Sequence, residues 1–259
     1  MKKNETVAIG WIDGGMVHSG FIAYLSQILL NRQEVVKNVV VASGPYLSAN
    51  RNFMYENFLA TDDDWLLCLD SDLCITLDSF DVLVSAADKD KCPVLGGKYF
   101  LPFNNGTTVV VAAQKLTDLD DGSGSFLTPQ DLEDAKGGII TGLHSVGAGY
   151  ALIHRSVLTR IKDAHPDEQY PWASDGWRES WKGWLSDDIP FYERVRELNI
   201  PVALHTGATS DHLKTFKVND DVFLMWNSIN SNNDHKHEHN HYAPHKRLTW
   251  WTKSKKVSE

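Results

Sequence analysis

Cysteine is scarce in this chain. The three thiols among 259 residues, Cys68, Cys74 and Cys92, are too few and too unevenly spaced for a disulfide framework or a structural zinc site. That scarcity fits a reducing, intracellular setting. No apolar run approaches the length of a membrane span. The first residues, 1–6, run into a strand without the apolar core of a signal peptide, so a soluble cytoplasmic protein is expected. Positive charge is short as well: 25 Lys and Arg face 34 Asp and Glu, a formal net charge of -9. Such a surface does not as a whole attract nucleic acid or anionic membranes, which leaves only local basic patches for that purpose. The remaining composition, 42% hydrophobic and 23% charged, is that of a globular domain with a sizeable core.

The most informative segment is Trp65-Leu66-Leu67-Cys68-Leu69 followed by Asp70-Ser71-Asp72. The apolar run reads as a buried strand, and it delivers two carboxylates to its C-terminal end. Ligands of open α/β sheets bind at that end. Residues i and i+2 of an extended segment project to one side, so both carboxylates are expected to face one ligand. Hard divalent cations such as Mn2+ and Mg2+ take oxygen donors of this kind.

Strands are expected at 7–12, 35–41, 65–69 and 93–100, with helices at 21–30, 50–60 and 80–87 between them. Asp13-Gly14-Gly15 ends the first strand, and Arg51 lies near the start of the second helix. This alternation predicts an α/β fold, with a mainly parallel central sheet and helices on both faces. The later sequence predicts a smaller antiparallel region with a strand at 109–113, then a polar loop over 117–137. One Gly-rich strand over 142–154 is expected to enter a helix at 156–164. A helix over 186–198, N-capped by Ser186 or Asp187, precedes a short strand at 201–205.

Four separated pieces carry polar groups suited to chemistry. They are Ser48-Ala49-Asn50-Arg51-Asn52, Asp70-Ser71-Asp72, the run from Gly147-Ala148-Gly149 to His154-Arg155, and Ser186-Asp187-Asp188 with the later Ser210-Asp211-His212. In this order they resemble the nucleotide-sugar-dependent glycosyltransferases of the GT-A fold, over about residues 5–215. The single-domain layout resembles the bacteriophage-encoded type. The resemblance implies a GT-A domain over 1–228, with a nucleotide-binding half at 1–105 and an acceptor-side half at 106–228. A His-rich, then basic tail follows at 229–259.

The donor implied is a nucleotide-diphosphate sugar, and the cofactor Mn2+ or Mg2+. Carried over residue by residue, Asp72 is a metal ligand and Asp70 a ribose or metal contact. His212 completes the metal shell, with His205 as its competitor. Arg51 lies near the nucleotide, where a guanidinium fork suits phosphate oxygens. Asp13 touches the base or ribose, and Gly14 and Gly15 let backbone approach the donor. Gly147 and Gly149 keep bulk away from the donor sugar. Asp188 is the general base on the acceptor hydroxyl, with Asp187 beside it. The family usually has Glu-Asp where this chain has Asp-Asp.

Plainer roles stand beside these. Asp187 or Asp188 would also cap a helix, and Arg51 would serve in a surface ion pair. Trp172, Trp177, Trp181 and Trp184 read as part core and part acceptor wall. The His-rich run 234–241 reads as a solvated segment outside the site. The acceptor is left open among a glycan, a protein, a small molecule and a modified base in phage DNA. In the last case Lys246–Lys256 with Trp250 and Trp251 would grip the backbone. Two further readings are a nucleotidyltransferase on the same fold and a catalytically inactive sugar-nucleotide-binding module. The first lacks the basic residues it would need around Ile12-Asp13-Gly14-Gly15-Met16.

Overall fold

Strand β1 (Val7–Asp13) is buried along almost its whole length, as a strand covered on both faces must be. It opens an alternating series: helix α1 (Ser19–Asn31), β2 (Val36–Ser43), helix α2 (Leu47–Leu59) and β3 (Trp65–Asp70). A short β4 (Leu73–Ile75) enters helix α3 (Leu77–Ala86), where the Thr76 hydroxyl accepts from the Ser79 N–H as an N-cap. Then come β5 (Val94–Lys98), β6 (Phe100–Phe103), β7 (Thr108–Val111), β8 (Ala113–Leu116) and β9 (Gly124–Phe126). Helix α4 (Pro129–Asp134), β10 (Ile139–Thr141), β11 (Leu143–Val146), β12 (Tyr150–His154) and helix α5 (Arg155–Ala164) follow. The series closes with the ribbon β13 (Gly176–Arg178) and β14 (Gly183–Leu185), helix α6 (Asp188–Glu197) and β15 (Val202–His212).

This computed structural model describes residues 1–2, 4–103, 108–116, 124–178, 183–185, 188–215, 224, 225 and 228. The chain falls into two compact units, Met1–Phe216 and Lys217–Glu259, and the elements above belong to the first. The His-rich run and the basic tail lie outside the described residues. Among those that are described, no helix is long and apolar enough to cross a membrane.

The main sheet has the order β10-β15-β5-β12-β3-β1-β2. Strands β2, β1, β3, β5 and β15 run one way, and β12 and β10 run against them. Small antiparallel sheets β11-β8-β9, β6-β7 and β13-β14 accompany it. Alternate strand residues feed two apolar layers. Tyr55, Phe58, Leu158 and Phe191 fill the one under α2, α5 and α6, and Phe21, Trp65, Leu67 and Phe80 the one under α1 and α3. A mixed α/β architecture with a mainly parallel central sheet is therefore present, as the alternation of elements predicts.

Three local expectations change. The strand expected over 142–154 breaks at Gly147-Ala148-Gly149, where small residues turn the chain. Its first part pairs with β8 and its second enters the main sheet between β3 and β5. The strand expected to stop at His205 runs on to His212, because small side chains maintain the alternation: Thr206, Ala208 and Ser210 are buried, and the residues between them are exposed. The segment 117–137 is not simply a loop, since it holds β9 and α4. Thr128 and Asp131 form a reciprocal capping box with Pro129 in the first turn, enough to start a helix with no buried residue. Helix α6 begins at Asp188, and Ser186 and Asp187 lie outside the described residues.

Candidate active site

The parallel register places Ile12 beside Asp70, so β1 and β3 end together and their loops open on one cleft. Asp13 closes the first end. Its carboxylate accepts from the Trp11 indole at 3.1 Å, the Gly15 N–H at 2.8 Å and the Ser43 hydroxyl at 2.7 Å. Burial pushes its pKa up, but the bonds from Ser43, Gly15 and Trp11 outweigh burial and hold it below the ordinary value. Asp13 thus shapes the cleft wall with oxygens already engaged, while Gly14 faces open space.

Arg51 is not a surface residue. It projects from α2 into the interior at 5% exposure, where its Nη1 reaches the Ala148 carbonyl and its Nη2 lies 3.9 Å from Asp70 Oδ1. A buried guanidinium needs such partners. Asp70 therefore turns toward Arg51, at the end of β3, whereas Asp72 lies in the turn that follows. Leaving the extended conformation at Ser71 breaks the same-side rule expected of residues two apart. Both carboxylates still line the cleft.

The glycines also have a local packing reason. A Cβ on Gly149 would lie 2.2 Å from Asp70 Oδ2, and one on Gly147 would lie 2.1 Å from the Tyr99 phenol oxygen. The Asp70 N–H also donates to the Gly149 carbonyl at 2.9 Å, so strand and turn are fastened where the carboxylate needs room. Gly149→Ala should lower stability by about 1–3 kcal/mol through overpacking. Gly14→Ala, in open space, should stay within about 0.5 kcal/mol of the parent. Denaturant unfolding of the two variants checks this, and equal losses would contradict the packing argument.

Asp72 is clasped by the end of β15, which pairs with β4. The Leu213 N–H donates to the Asp72 carbonyl at 2.9 Å. The Lys214 ammonium lies 2.6 Å from Asp72 Oδ2, and His212 Nε2 lies 3.3 Å from Oδ1. Burial pushes the Asp72 pKa up. Hydrogen bonds and charge from His212 and Lys214 outweigh burial and hold it at about 2, so the group is ionised at any ordinary pH. His205 sits within the sheet opposite Ile139 and Gly97, its Nδ1 accepting from the Gly207 N–H. It takes no part in this clasp.

Among the described residues, no three His, Cys, Asp or Glu side chains are gathered as a metal cage, because Asp70 faces Arg51 while Asp72 and His212 face each other. The donor set of Asp72 and His212 nevertheless fits a divalent cation. His212 Nδ1–H donates to the Phe100 carbonyl at 2.8 Å, which fixes the ring and turns the buried Nε2 toward Asp72 Oδ1 at 3.3 Å. His212 Nε2 and Asp72 Oδ1 are thus two ligand atoms placed where one shared cation would meet both.

Asp188 opens α6 and lines the same cleft of about 330 Å3 as Asp13, Gly14, Arg51, Asp70 and Asp72. Gly147 and Gly149 also line it. The sequence reading missed Tyr99 and Lys214, which complete the wall. Burial raises the Tyr99 pKa, and the nearby charges of Asp70 and Asp188 raise it further, so the phenol stays neutral between two carboxylates. Lys214, two residues past His212, was the readable signal of a cation at the clasp. Trp172 belongs to the core, 1% exposed with its indole donating to the Leu158 carbonyl. Trp177 and Trp184 face each other across the β13–β14 ribbon at 54% and 70% exposure, and Trp181 lies outside the described residues.

No protein-family model matches this chain, and no curated protein does. Among solved structures it is similar to A197 from the virus STIV, with 15% identity and a TM-score of 0.52 over 81% of this chain and 86% of that one. It is also similar to GalNAc-T7, crystallised with UDP, GalNAc and Mn2+, with 12% identity and a TM-score of 0.50 over 84% of this chain. The chain spans 45% of the length of GalNAc-T7. At these identities the likeness concerns the fold, which is GT-A-like.

Proposed function

We propose that this chain is a metal-dependent glycosyltransferase, moving a sugar from a nucleotide-diphosphate sugar to an acceptor hydroxyl. The observation that carries the reading is one cleft, at the ends of β1 and β3, lined by Arg51, Asp70, Asp72 and Asp188 with His212 behind Asp72. Residues 1–105 would hold the donor and 106–228 the acceptor. The GT-A-like fold shared with A197 from STIV and with GalNAc-T7 supports the glycosyltransferase reading; a bacteriophage-encoded enzyme acting in the host cytoplasm is part of the proposal and rests on the single-domain layout.

Departure of a nucleoside diphosphate builds negative charge on phosphate oxygens. Mn2+ or Mg2+, held by Asp72 and His212, would supply Lewis-acid stabilisation of that charge. Arg51, reaching from α2, lies against Asp70 and orients its carboxylate. Lys214 neutralises Asp72 in the metal-free chain. Asp188 accepts the proton of the acceptor hydroxyl from the N-terminus of α6, with Asp187 next to it in sequence.

The test is calorimetric titration of the full chain with UDP, GDP and their sugar conjugates, with and without Mn2+, together with a donor-hydrolysis assay. Mn2+-dependent binding of one nucleotide and slow release of its sugar are the expected results. Absence of both for every donor sinks the proposal. Tight binding with no turnover on any acceptor would favour the inactive sugar-nucleotide-binding module.

A further inference from the structure

A larger cavity, of about 580 Å3, lies on the other side of α2 from Arg51. Its walls come from α2 and the segment 162–172, whose fixed position is written into Asn52. That side chain, 3% exposed, donates to the Ser48 and Ala173 carbonyls at 2.6 Å and accepts from the Trp172 and Ala173 N–H groups at 3.1 and 3.3 Å. A Ser48–Asp175 hydrogen bond of 2.6 Å adds a further fastening. The cavity is therefore held open by a built wall and does not depend on a loose loop.

Its chemistry is specific. Phe53 and Tyr170, 55% and 38% exposed, meet edge to face at 6.4 Å. Trp172 lies at the wall with the Lys162 ammonium over its ring at 5.7 Å. Glu56, Glu168 and Gln169 supply oxygens and an amide. Lys162 is already engaged with Glu56 at 2.8 Å, and Glu168 with both His165 at 3.1 Å and Arg194 at 2.5 Å. Among the described residues Lys162, His165 and Arg194 at the rim are thus each paired with a carboxylate, and Asp163 adds a further negative charge, so a phosphodiester or other polyanion finds no uncommitted cation there. A neutral polyhydroxylated ring meets the opposite case, because aromatic faces take its C–H surface and carboxylates and amides take its hydroxyls.

The geometry points to a saccharide-binding subsite in this cavity, occupied by a distal part of a neutral glycan acceptor; the acceptor role rests on the glycosyltransferase reading. The same fastened segment runs on to Trp177, across from Trp184 on the ribbon that precedes Asp188 in the chain. The acceptor class is thereby narrowed to a neutral glycan rather than DNA.

The full chain, without donor or metal, is applied to an array of neutral and acidic oligosaccharides, with single-stranded and duplex DNA oligonucleotides alongside. A neutral oligosaccharide should bind, and Phe53→Ala and Tyr170→Ala should each weaken it about tenfold. Both side chains are partly exposed, so melting temperatures should stay unchanged. No neutral ligand on the array, equal binding by both variants, or DNA binding lost in those variants would overturn the assignment. Glycan binding without any Mn2+-dependent nucleotide binding would leave the cavity standing as a saccharide site and remove the transferase reading. The reverse result would remove the subsite alone.

Discussion

Asp72→Ala should abolish Mn2+-dependent nucleotide binding, with a loss of at least about 100-fold, since even indirect partners of a metal ligand cost 10–100-fold. The carboxylate holds two jobs at once. It neutralises Lys214, and it faces a histidine whose other nitrogen is committed to the Phe100 carbonyl. Removing it leaves a cation and a buried imidazole with no anion between them, so metal-free folding should weaken too. The pH dependence has a definite sign. The folded pKa is lowered from 3.8 to about 2, so the stabilisation from Asp72 is fully present above 3.8 and is lost as pH falls toward 2. The variant should show a flatter acid-unfolding profile across that window. Lys214→Met acts in the opposite direction on the metal: with no ammonium to displace, Mn2+ affinity should rise or hold. Mn2+ titration followed by paramagnetic resonance distinguishes the two variants, and equal affinity in the parent and Asp72→Ala would remove Asp72 from the metal site.

Asp188→Asn should cut the transfer rate by about 10^2–10^4, the usual contribution of a general base. Nucleotide and Mn2+ binding should be unchanged. Asn keeps the size of the side chain and can still bond the open N–H groups at the start of α6, so only the proton acceptor is lost. A parallel fall in nucleotide affinity would mean that the residue shapes the donor pocket instead. A variant as fast as the parent would reduce Asp188 to a helix end. Tyr192, one turn further along α6, has a buried hydroxyl with no hydrogen-bond partner among the described residues, and burial with the Asp188 charge keeps that phenol neutral.

Much of this was legible from sequence for simple reasons. The run 65–69 is apolar enough to be a central strand, and a carboxylate at its end has few places to go except a cleft. Arg51, Gly149 and Asp188 came from the order of the motifs, and the same cleft holds all three. What stayed hidden depends on pairing between distant segments. The continuation of β15 through Thr206–Ser210 is made of small polar residues whose burial follows only from their neighbours. Lys214 gains meaning only when β15 folds back on β4. The cavity beside α2 joins Phe53 to Tyr170, which no local pattern connects. In α4 the capping box at Thr128 and Asp131 was readable, but the acidic composition around it suggested a loop.

The β4–β15 clasp also sets an order of events during synthesis. Asp72 leaves the ribosome early, while His212 at the end of β15, and Leu213 and Lys214 just past it, emerge after nearly all of the first unit has been made. Contacts so far apart in sequence form late, because a long loop must close before they are rewarded. A nascent or truncated chain ending before residue 212 would carry the Asp-Ser-Asp turn without its clasp. Such a fragment should be unable to bind Mn2+ at the proposed site, which would be completed only when β15 docks on β4.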